Sequence, residues 1–182
     1  MRIKRMLFPV KVLGPGDRVG IWMTGCPFKC EGCIAPELRD FNSGRDIPVE
    51  KIIEVIEKIP SEVSGVTVSG GEPFEQSEEL SLLVTALNEK GIDDIIVYSG
   101  YTLSELREKN SDAVNNVLSR IAVLVDGRYV DELNDSVGLR GSSNQVFHIF
   151  RNKELYEYMK TAPRELQHFD YLNDSSIVIG IL

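Results

Sequence analysis

The chain has 182 residues, of which 42% are hydrophobic and 26% charged, and its formal net charge is −8. This length and composition predict one compact domain over residues 1–182, with a core that needs no disulfide bonds. The acidic balance argues against nucleic acid as the main partner, because phosphate backbones select basic surfaces. No apolar run approaches the roughly 20 residues of a membrane helix, and the amino-terminal segment lacks the apolar region of a secretory signal. We therefore expect a cytoplasmic protein with no membrane contact.

The predicted elements alternate between helices and strands. Helices are indicated by apolar residues at helical spacing between capping residues, prolines and glycines, and strands by short β-branched runs. The third helix contains a predicted break near Asn110, and the last strand is expected to cover an edge of the sheet. In chain order the elements are helix 49–56, strand 65–69, helix 77–90 with Ser77 as its N-cap, strand 95–99, helix 103–119, strand 121–126, strand 146–150, helix 153–160 and strand 177–182.

Strands separated by helices of this length indicate right-handed βαβ units, and hence an α/β fold with a parallel sheet. Ligands of such sheets bind at the carboxyl ends of the strands. The residues that follow the strands are therefore considered together as a candidate site. They are the loop 25-GCPFKCEGC-33, the turn 70-GGEP-73, Ser99 with Gly100, and Asp126 with Gly127.

Three cysteines, Cys26, Cys30 and Cys33, lie in the segment 25-GCPFKCEGCIAP-36, and the chain has no others. They could be ordinary buried residues, although the glycines and the proline beside them indicate a loop. A disulfide framework requires an even number of thiols and an oxidising compartment. A thioredoxin-like interpretation of 30-CEGC-33 leaves Cys26 unexplained.

Metal binding accounts better for three thiols in one loop. A zinc site needs a fourth ligand, and neither His148 nor His168 has a ligand-like spacing to a neighbour. Thiolates are the usual ligands of a four-iron cluster, and four of them complete its protein shell. Three thiolates leave one iron open to a substrate or cofactor, as catalytic metal sites keep a coordination position free.

The motif order resembles the radical S-adenosylmethionine (SAM) superfamily, in which C-x3-C-x2-C follows the first strand and a Gly-Gly-Glu-Pro turn follows a later one. Within it, the chain resembles the activating enzymes of anaerobic ribonucleotide reductase and their close relatives, up to about residue 150. The resemblance implies an open, shortened (β/α) partial barrel. The segments that carry it are 11-KVLGPGDRVGIWMTGCPFKCEGC-33, 67-TVSGGEPFEQ-76, 97-VYSGY-101, 125-VDGRYV-130 and 140-RGSSNQ-145.

The resemblance also implies the cofactors and the residues that bind them. A four-iron (4Fe-4S) cluster would be held in the loop 25–36 by Cys26, Cys30 and Cys33. SAM would bind the open iron through its amino and carboxylate groups. The SAM amino group would be received by the turn, since glycines permit close approach and oxygen acceptors suit an ammonium. The residues of this turn are Gly70, Gly71, Glu72 and Pro73.

Four further polar residues are expected at the same site by resemblance. Ser99 would lie near the ribose of SAM and Asp126 near its methionine end, while Asn144 and Gln145 would line the site. A strand-end cap, a turn residue and a stabilised loop remain alternative roles for them. Gly32 stands where the superfamily often has an aromatic residue near the adenine, so the adenine contact is unidentified; Trp22 is predicted to be a core residue.

The implied chemistry is reductive cleavage of SAM to methionine and a 5′-deoxyadenosyl radical, which abstracts a hydrogen atom. No side chain is assigned a catalytic role beyond the cluster and SAM. The hydrogen atom would come from a glycine of a large glycyl-radical enzyme such as anaerobic ribonucleotide reductase. A low-potential donor such as flavodoxin or ferredoxin would supply the electron. The alternatives are a stand-alone radical SAM enzyme acting on a small molecule or peptide, and an iron–sulfur electron carrier or sensor.

Overall fold

The computed structural model describes residues 1–170 and 176–181, in which nine strands and five α-helices are found. The strands are β1 Arg2–Val10, β2 Arg18–Met23, β3 Arg45–Asp46, β4 Gly65–Gly70, β5 Ile95–Tyr98, β6 Val123–Asp126, β7 Val146–Ile149, β8 Leu166–Asp170 and β9 Ser176–Gly180. The helices are α1 Val49–Glu57, α2 Ser77–Glu89, α3 Leu103–Glu108, α4 Asp112–Arg120 and α5 Lys153–Tyr156. Within the described residues no helix is long and apolar enough to cross a membrane.

The main sheet has seven strands in the order β3-β1-β2-β4-β5-β6-β7 and is mixed. Its four central strands, β2, β4, β5 and β6, pair in parallel, which confirms the α/β class and the predicted βαβ units. The prediction of a parallel sheet is wrong at the edges, where β1, β3 and β7 pair antiparallel. The connection between β1 and β2, residues 11–17, is too short for the crossover that a parallel pair needs.

The predicted helices are largely confirmed, and two details differ. Asn110 has a left-handed φ of 46° and separates α3 from α4, as the predicted break requires. Ser77 is the first residue of α2 rather than its N-cap, because a 3-10 helix over Pro73–Gln76 runs directly into it. The segment 153–160 divides into α5 and a 3-10 helix over Glu157–Lys160.

The last predicted strand does not cover an edge of the main sheet. It forms β9, which pairs antiparallel with β8 in a separate two-stranded sheet. The sequence analysis did not identify β8, whose burial alternates only between exposed and partly buried residues. Residue 182, which the prediction included, lies outside the described residues.

Different elements pack on the two faces of the main sheet. One face packs against the amphipathic helices, whose buried side chains join strand residues in the largest core cluster; from α2 these are Leu80, Leu83, Val84 and Leu87. On the opposite face, Ile96, Val123 and Val125 pack with Tyr156 and Met159 from the carboxyl-terminal segment. Alternate residues of a strand point to opposite faces, so each central strand contributes to both layers.

A buried arginine holds strands together on this second face. The guanidinium of Arg18 is fully buried and pairs with Asp94 at 2.7 Å. It also donates to the hydroxyl of Thr67 at 2.8 Å and to the carbonyl oxygen of Val66 at 3.0 Å. A buried charge is stable only when it is paired and hydrogen-bonded in this way.

We expect Arg18→Ala to lower the free energy of unfolding by about 3–5 kcal/mol, because Asp94 then loses its buried partner. Lys51→Ala breaks the exposed Lys51–Glu54 ion pair and is the control, with an expected loss of less than about 1 kcal/mol. Urea denaturation of the cluster-free protein measures both. Equal losses in the two variants would contradict the role given to Arg18.

Candidate functional site

A cavity of about 320 Å³ opens on the sheet face opposite the helices and is bordered by all three cysteines. Cys26, Cys30 and Cys33 are free thiols, each partly exposed. The loop that carries them joins residues from the ends of β4 and β5 around the same space. Further lining residues are Trp22, Phe28, Ser69, Gly70, Gly71, Glu72, Ser99, Gly100, Arg128, Gln145 and four residues of the carboxyl-terminal segment, Val178–Ile181.

The cysteine loop is held by its own backbone. The amide nitrogens of Gly25 and Cys26 donate to the carbonyl oxygens of Leu38 and Arg39, at 2.9 and 3.0 Å. The guanidinium of Arg39 donates to the carbonyl oxygen of Cys30. These bonds fix both ends of the C-x3-C segment without using a thiol, so the sulfur atoms stay available to a metal.

Ligation by a metal requires the thiols to lose their protons. Burial raises the pKa of Cys26 from 9.0 to about 11, so a metal that binds this sulfur must displace its proton. In the described part of the chain, no three Cys, His, Asp or Glu side chains converge closely enough to hold a single ion. A four-iron cluster does not require that convergence, since each thiolate binds a different iron.

The Gly-Gly turn packs directly on the start of the cysteine loop. The amide nitrogen of Gly71 donates to the carbonyl oxygen of Met23, and that of Glu72 to the carbonyl oxygen of Gly25, both at 2.8 Å. Gly70 has a φ of 119°, and a side chain there would collide with the backbone of Met23. A side chain on Gly71 would collide with Gly25. The two glycines therefore bring the turn and the cysteine loop together.

Glu72 is completely buried and connects this turn to β5. Its carboxylate accepts hydrogen bonds from the hydroxyl of Ser99 at 2.8 Å, the amide of Gly100 at 2.6 Å and the amide of Phe74 at 3.0 Å. Burial raises the pKa of Glu72 from 4.5 to about 7, although the three donors oppose the shift. Pro73 begins the 3-10 helix behind the turn and is buried there.

Asp126 and Asn144 are not among the described residues that line the cavity. The Asp126 carboxylate accepts from the amide of Leu103, at the start of α3, and lies 2.8 Å from Nε2 of His148. Residues two apart in a strand point to the same face of the sheet. Asp126 comes two residues after Leu124, which packs on the helix-covered face, so Asp126 points toward the helices and away from the cavity. The segment 121-IAVLVD-126 is apolar on both faces, so the sequence alone does not show which face Asp126 shares with the helices.

Asn144 and Gln145 hold the loop that follows β6. Asn144 donates to the carbonyl oxygen of Arg128 at 2.8 Å, and Gln145 to that of Gly127 at 2.7 Å. Gln145 also lines the cavity, as the sequence analysis expected. The register of the sheet places Asp126 opposite Val146, so this loop begins and ends at paired residues.

The sequence analysis missed an aromatic and cationic cluster beside the cysteines. The ring of Phe28 lies edge-on to that of Tyr101, with centroids 4.8 Å apart, and Arg128 lies 4.4 Å from the Phe28 centroid. On the other side, Lys109 lies 4.0 Å from the Tyr101 centroid. Phe28 stands between two cysteines, which is the one sequence signal that could have identified it. Trp22 is buried, as predicted, and also borders the cavity.

The family model of a 4Fe-4S single cluster domain matches residues 12–148, a segment that includes the cysteine loop, the turn and β4 to β6. The matched segment and the three thiols on one cavity define the chain as an iron–sulfur protein of the single-cluster class.

The chain is also similar to anaerobic ribonucleoside-triphosphate reductase-activating proteins. That of Salmonella typhi is 36% identical over 152 residues, which cover 79% of this chain and 96% of the relative. That of Vibrio cholerae is 34% identical over 151 residues, covering 79% and 95%. That of Escherichia coli K12 is 35% identical over 152 residues, covering 79% and 96%. The chain therefore belongs to this family of activating proteins, which confirms the assignment made from the motifs.

We expect the stability of the cluster-free protein to fall with rising pH between about 4.5 and 7 because of Glu72. The folded state keeps this carboxyl protonated to a higher pH than the unfolded state does, so its contribution is complete below pH 4.5 and lost as the pH passes 7. A shift of this size corresponds to roughly 3 kcal/mol. Urea denaturation across this range measures it. Glu72→Gln is the control and should lack this component, whereas parallel profiles for the two proteins would contradict the assignment.

Proposed function

We propose that the chain is a radical SAM activating enzyme that generates a glycyl radical on anaerobic ribonucleotide reductase. The observation that carries the proposal is the convergence of three free thiols and the Gly-Gly-Glu turn on one cavity. The names of its relatives support the reductase as the partner. The family model supports the 4Fe-4S cluster.

The cluster would be held by Cys26, Cys30 and Cys33, with SAM on the open iron. The residues fit this group: the three sulfurs border one space, and the loop is held by backbone bonds and by the Arg39 guanidinium without using a thiol. When bound, the cluster and SAM supply a one-electron cleavage that yields a 5′-deoxyadenosyl radical able to take a hydrogen atom from glycine. A low-potential flavodoxin or ferredoxin is proposed as the electron source.

The turn residues orient SAM beside the cysteine loop. Gly70 and Gly71 keep the backbone close enough to that loop to serve both cofactors, and Glu72 locks the turn to β5 through Ser99 and Gly100. With all three of its hydrogen bonds made to the protein, the Glu72 carboxylate acts first as a support. Because Oε2 accepts only one of these bonds, the acceptors proposed for the SAM ammonium are its second position and the backbone carbonyl groups of the turn.

The remaining polar residues divide into two proposed roles. Ser99 lines the cavity and is the candidate for the ribose contact. Asp126 and Asn144 act through the loop and helix that they hold, Asp126 at the start of α3 and Asn144 at Arg128. We propose that the central parallel strands, with the cavity on the face opposite the helices, form the open partial barrel of this superfamily in one domain.

The test is anaerobic reconstitution of the protein with iron, sulfide, reductant and SAM. We expect 5′-deoxyadenosine to form, and a glycyl radical to be detected by electron paramagnetic resonance (EPR) on an added anaerobic reductase. Cys26→Ala, Cys30→Ala and Cys33→Ala should each lower both signals to background, because a cluster with two protein thiolates is not retained in place.

Lys29→Ala is the matched control, since Lys29 is exposed and lies in the same loop between two of the cysteines. It should retain the iron content and the 5′-deoxyadenosine yield of the unaltered protein. Formation of 5′-deoxyadenosine without a radical on the reductase would instead favour a stand-alone radical SAM enzyme. Absence of SAM cleavage from a fully loaded protein would overturn the radical assignment.

A further inference from the structure

Phe28 lies between the first two cysteines, and its ring makes three contacts outside the cysteine loop. A Cβ atom on Gly100 would lie 2.6 Å from the ring, so the ring packs directly on the backbone that follows β5. The ring of Tyr101 lies edge-on to it, with centroids 4.8 Å apart. The guanidinium of Arg128 lies 4.4 Å from its centroid. Phe28 thereby connects the cysteine loop to the segments that follow β5 and β6.

Further hydrogen bonds orient the two side chains that contact this ring. Arg128 donates twice to the carboxylate of Glu105, at 2.9 and 3.2 Å. Glu105 also accepts from the backbone amide of Thr102 at 2.8 Å, as part of the capping box at the start of α3. The hydroxyl of Tyr101 donates to Glu75 at 2.7 Å. Both side chains against the ring are therefore held by the segment that begins α3 or by the turn before α2.

A second depression borders the cysteine loop, between residues 26–29 and residues 39–42. Among the described residues, Cys26, Phe28 and Arg39 border both this depression and the cavity. The other side chains of the depression are exposed to solvent. The cavity and the solvent in the depression are therefore separated by three side chains, of which Phe28 is the large apolar one.

Core packing does not account for a ring at this position. Phe28 is partly exposed, and it belongs to none of the three hydrophobic clusters formed by the described residues. Its contacts are made with a glycine backbone, the edge of one ring and a cation. The position of the ring between the depression and the cavity gives it a role beside the thiols instead.

We propose that Phe28 is a barrier that keeps solvent in the depression away from the metal held by the thiols, and that it positions the cysteine loop against the end of β5. The inference rests on the cluster assignment in the function proposed above. The apolar shell around a metal site controls solvent access, and solvent access influences the reduction potential of an iron–sulfur cluster. Arg128 acts through Phe28, because its guanidinium lies against the ring.

The test measures access to the cluster of the loaded protein in the series Phe28→Leu, Phe28→Val and Phe28→Ala. Lys29→Ala is the matched control, because Lys29 is the next residue and borders the depression without bordering the cavity. One readout is the anaerobic rate at which the ferrous-iron chelator bathophenanthroline disulfonate bleaches the cluster, with and without saturating SAM. The other is the deuterium coupling in pulsed EPR spectra of the reduced cluster after transfer to heavy water.

We expect SAM to slow the bleaching of the unaltered protein, because SAM occupies the cavity while Phe28 closes the depression. In Phe28→Ala the protected rate should be about fivefold higher or more, since the depression then offers a second route to the metal. Phe28→Leu retains most of the apolar volume and should stay within about twofold, with Phe28→Val between the two. Lys29→Ala should also stay within about twofold, as is usual for an exposed side chain.

The spectroscopic readouts distinguish a barrier from a merely structural residue. Deuterium coupling should increase in Phe28→Ala, and the midpoint potential of the cluster should rise, because water stabilises the additional negative charge of the reduced state. Arg128→Ala should increase the deuterium coupling less than Phe28→Ala does. In the double variant it should add nothing, since the ring through which Arg128 acts is then absent.

The outcomes separate this inference from the proposed function. If Phe28→Ala matches Lys29→Ala in bleaching and in deuterium coupling, the barrier is wrong and the proposed function stands. If Phe28→Ala loses thermal stability or iron while the retained cluster shows unchanged deuterium coupling, the residue is only structural and the inference is again overturned. If Phe28→Ala does not load, equal rates for Phe28→Val and Phe28→Leu overturn it.

Two further outcomes concern the proposed function itself. If SAM gives the unaltered protein no protection, the SAM site of the proposed function is contradicted, and the deuterium comparison of the SAM-free proteins decides the barrier. If the unaltered protein holds no cluster after reconstitution, both proposals fail together.

Discussion

The site depends on one close approach of backbone to backbone. Gly70 and Gly71 allow the end of β4 to hydrogen-bond to Met23 and Gly25, immediately before the first cysteine. Any side chain at these positions would push the turn away from the loop. The two motifs, which are far apart in the sequence, are therefore in direct contact. A group bound by the thiols necessarily lies beside the turn.

Glu72 extends that junction to the next strand. A carboxylate buried without partners would be costly, and here three donors from two segments make it tolerable. The result is a rigid connection between the turn and the end of β5, because Ser99 and Gly100 cannot move without leaving hydrogen bonds unmade. Burial of this carboxyl group costs free energy, while its hydrogen bonds position the turn. Its raised pKa shows that the effect of burial exceeds that of the three donors.

The parts of the protein that sequence predicted best are those with local causes. Cysteine spacing, the Gly-Gly turn and the amphipathic helices each follow from neighbouring residues, and the break at Asn110 follows from a helix ending locally. The antiparallel edges, the hairpin and the contacts of Phe28 depend on residues far apart in the chain. Asp126 shows the intermediate case: its place at the end of a strand was predicted, whereas its direction depended on which face of β6 the helices cover.

The pairing of Asp126 with Val146 closes the base of the loop that carries Arg128 and Gln145. The entropy cost of closing a loop between two fixed ends grows only slowly with the length of the loop. Length changes are nonetheless restricted here, because Leu139 is buried in the core with Tyr156 and Met159, and Ser142 is fully buried. The cavity side formed by this loop is therefore fixed by the core as well as by the sheet, and insertions are best tolerated in residues 131–137, none of which is buried.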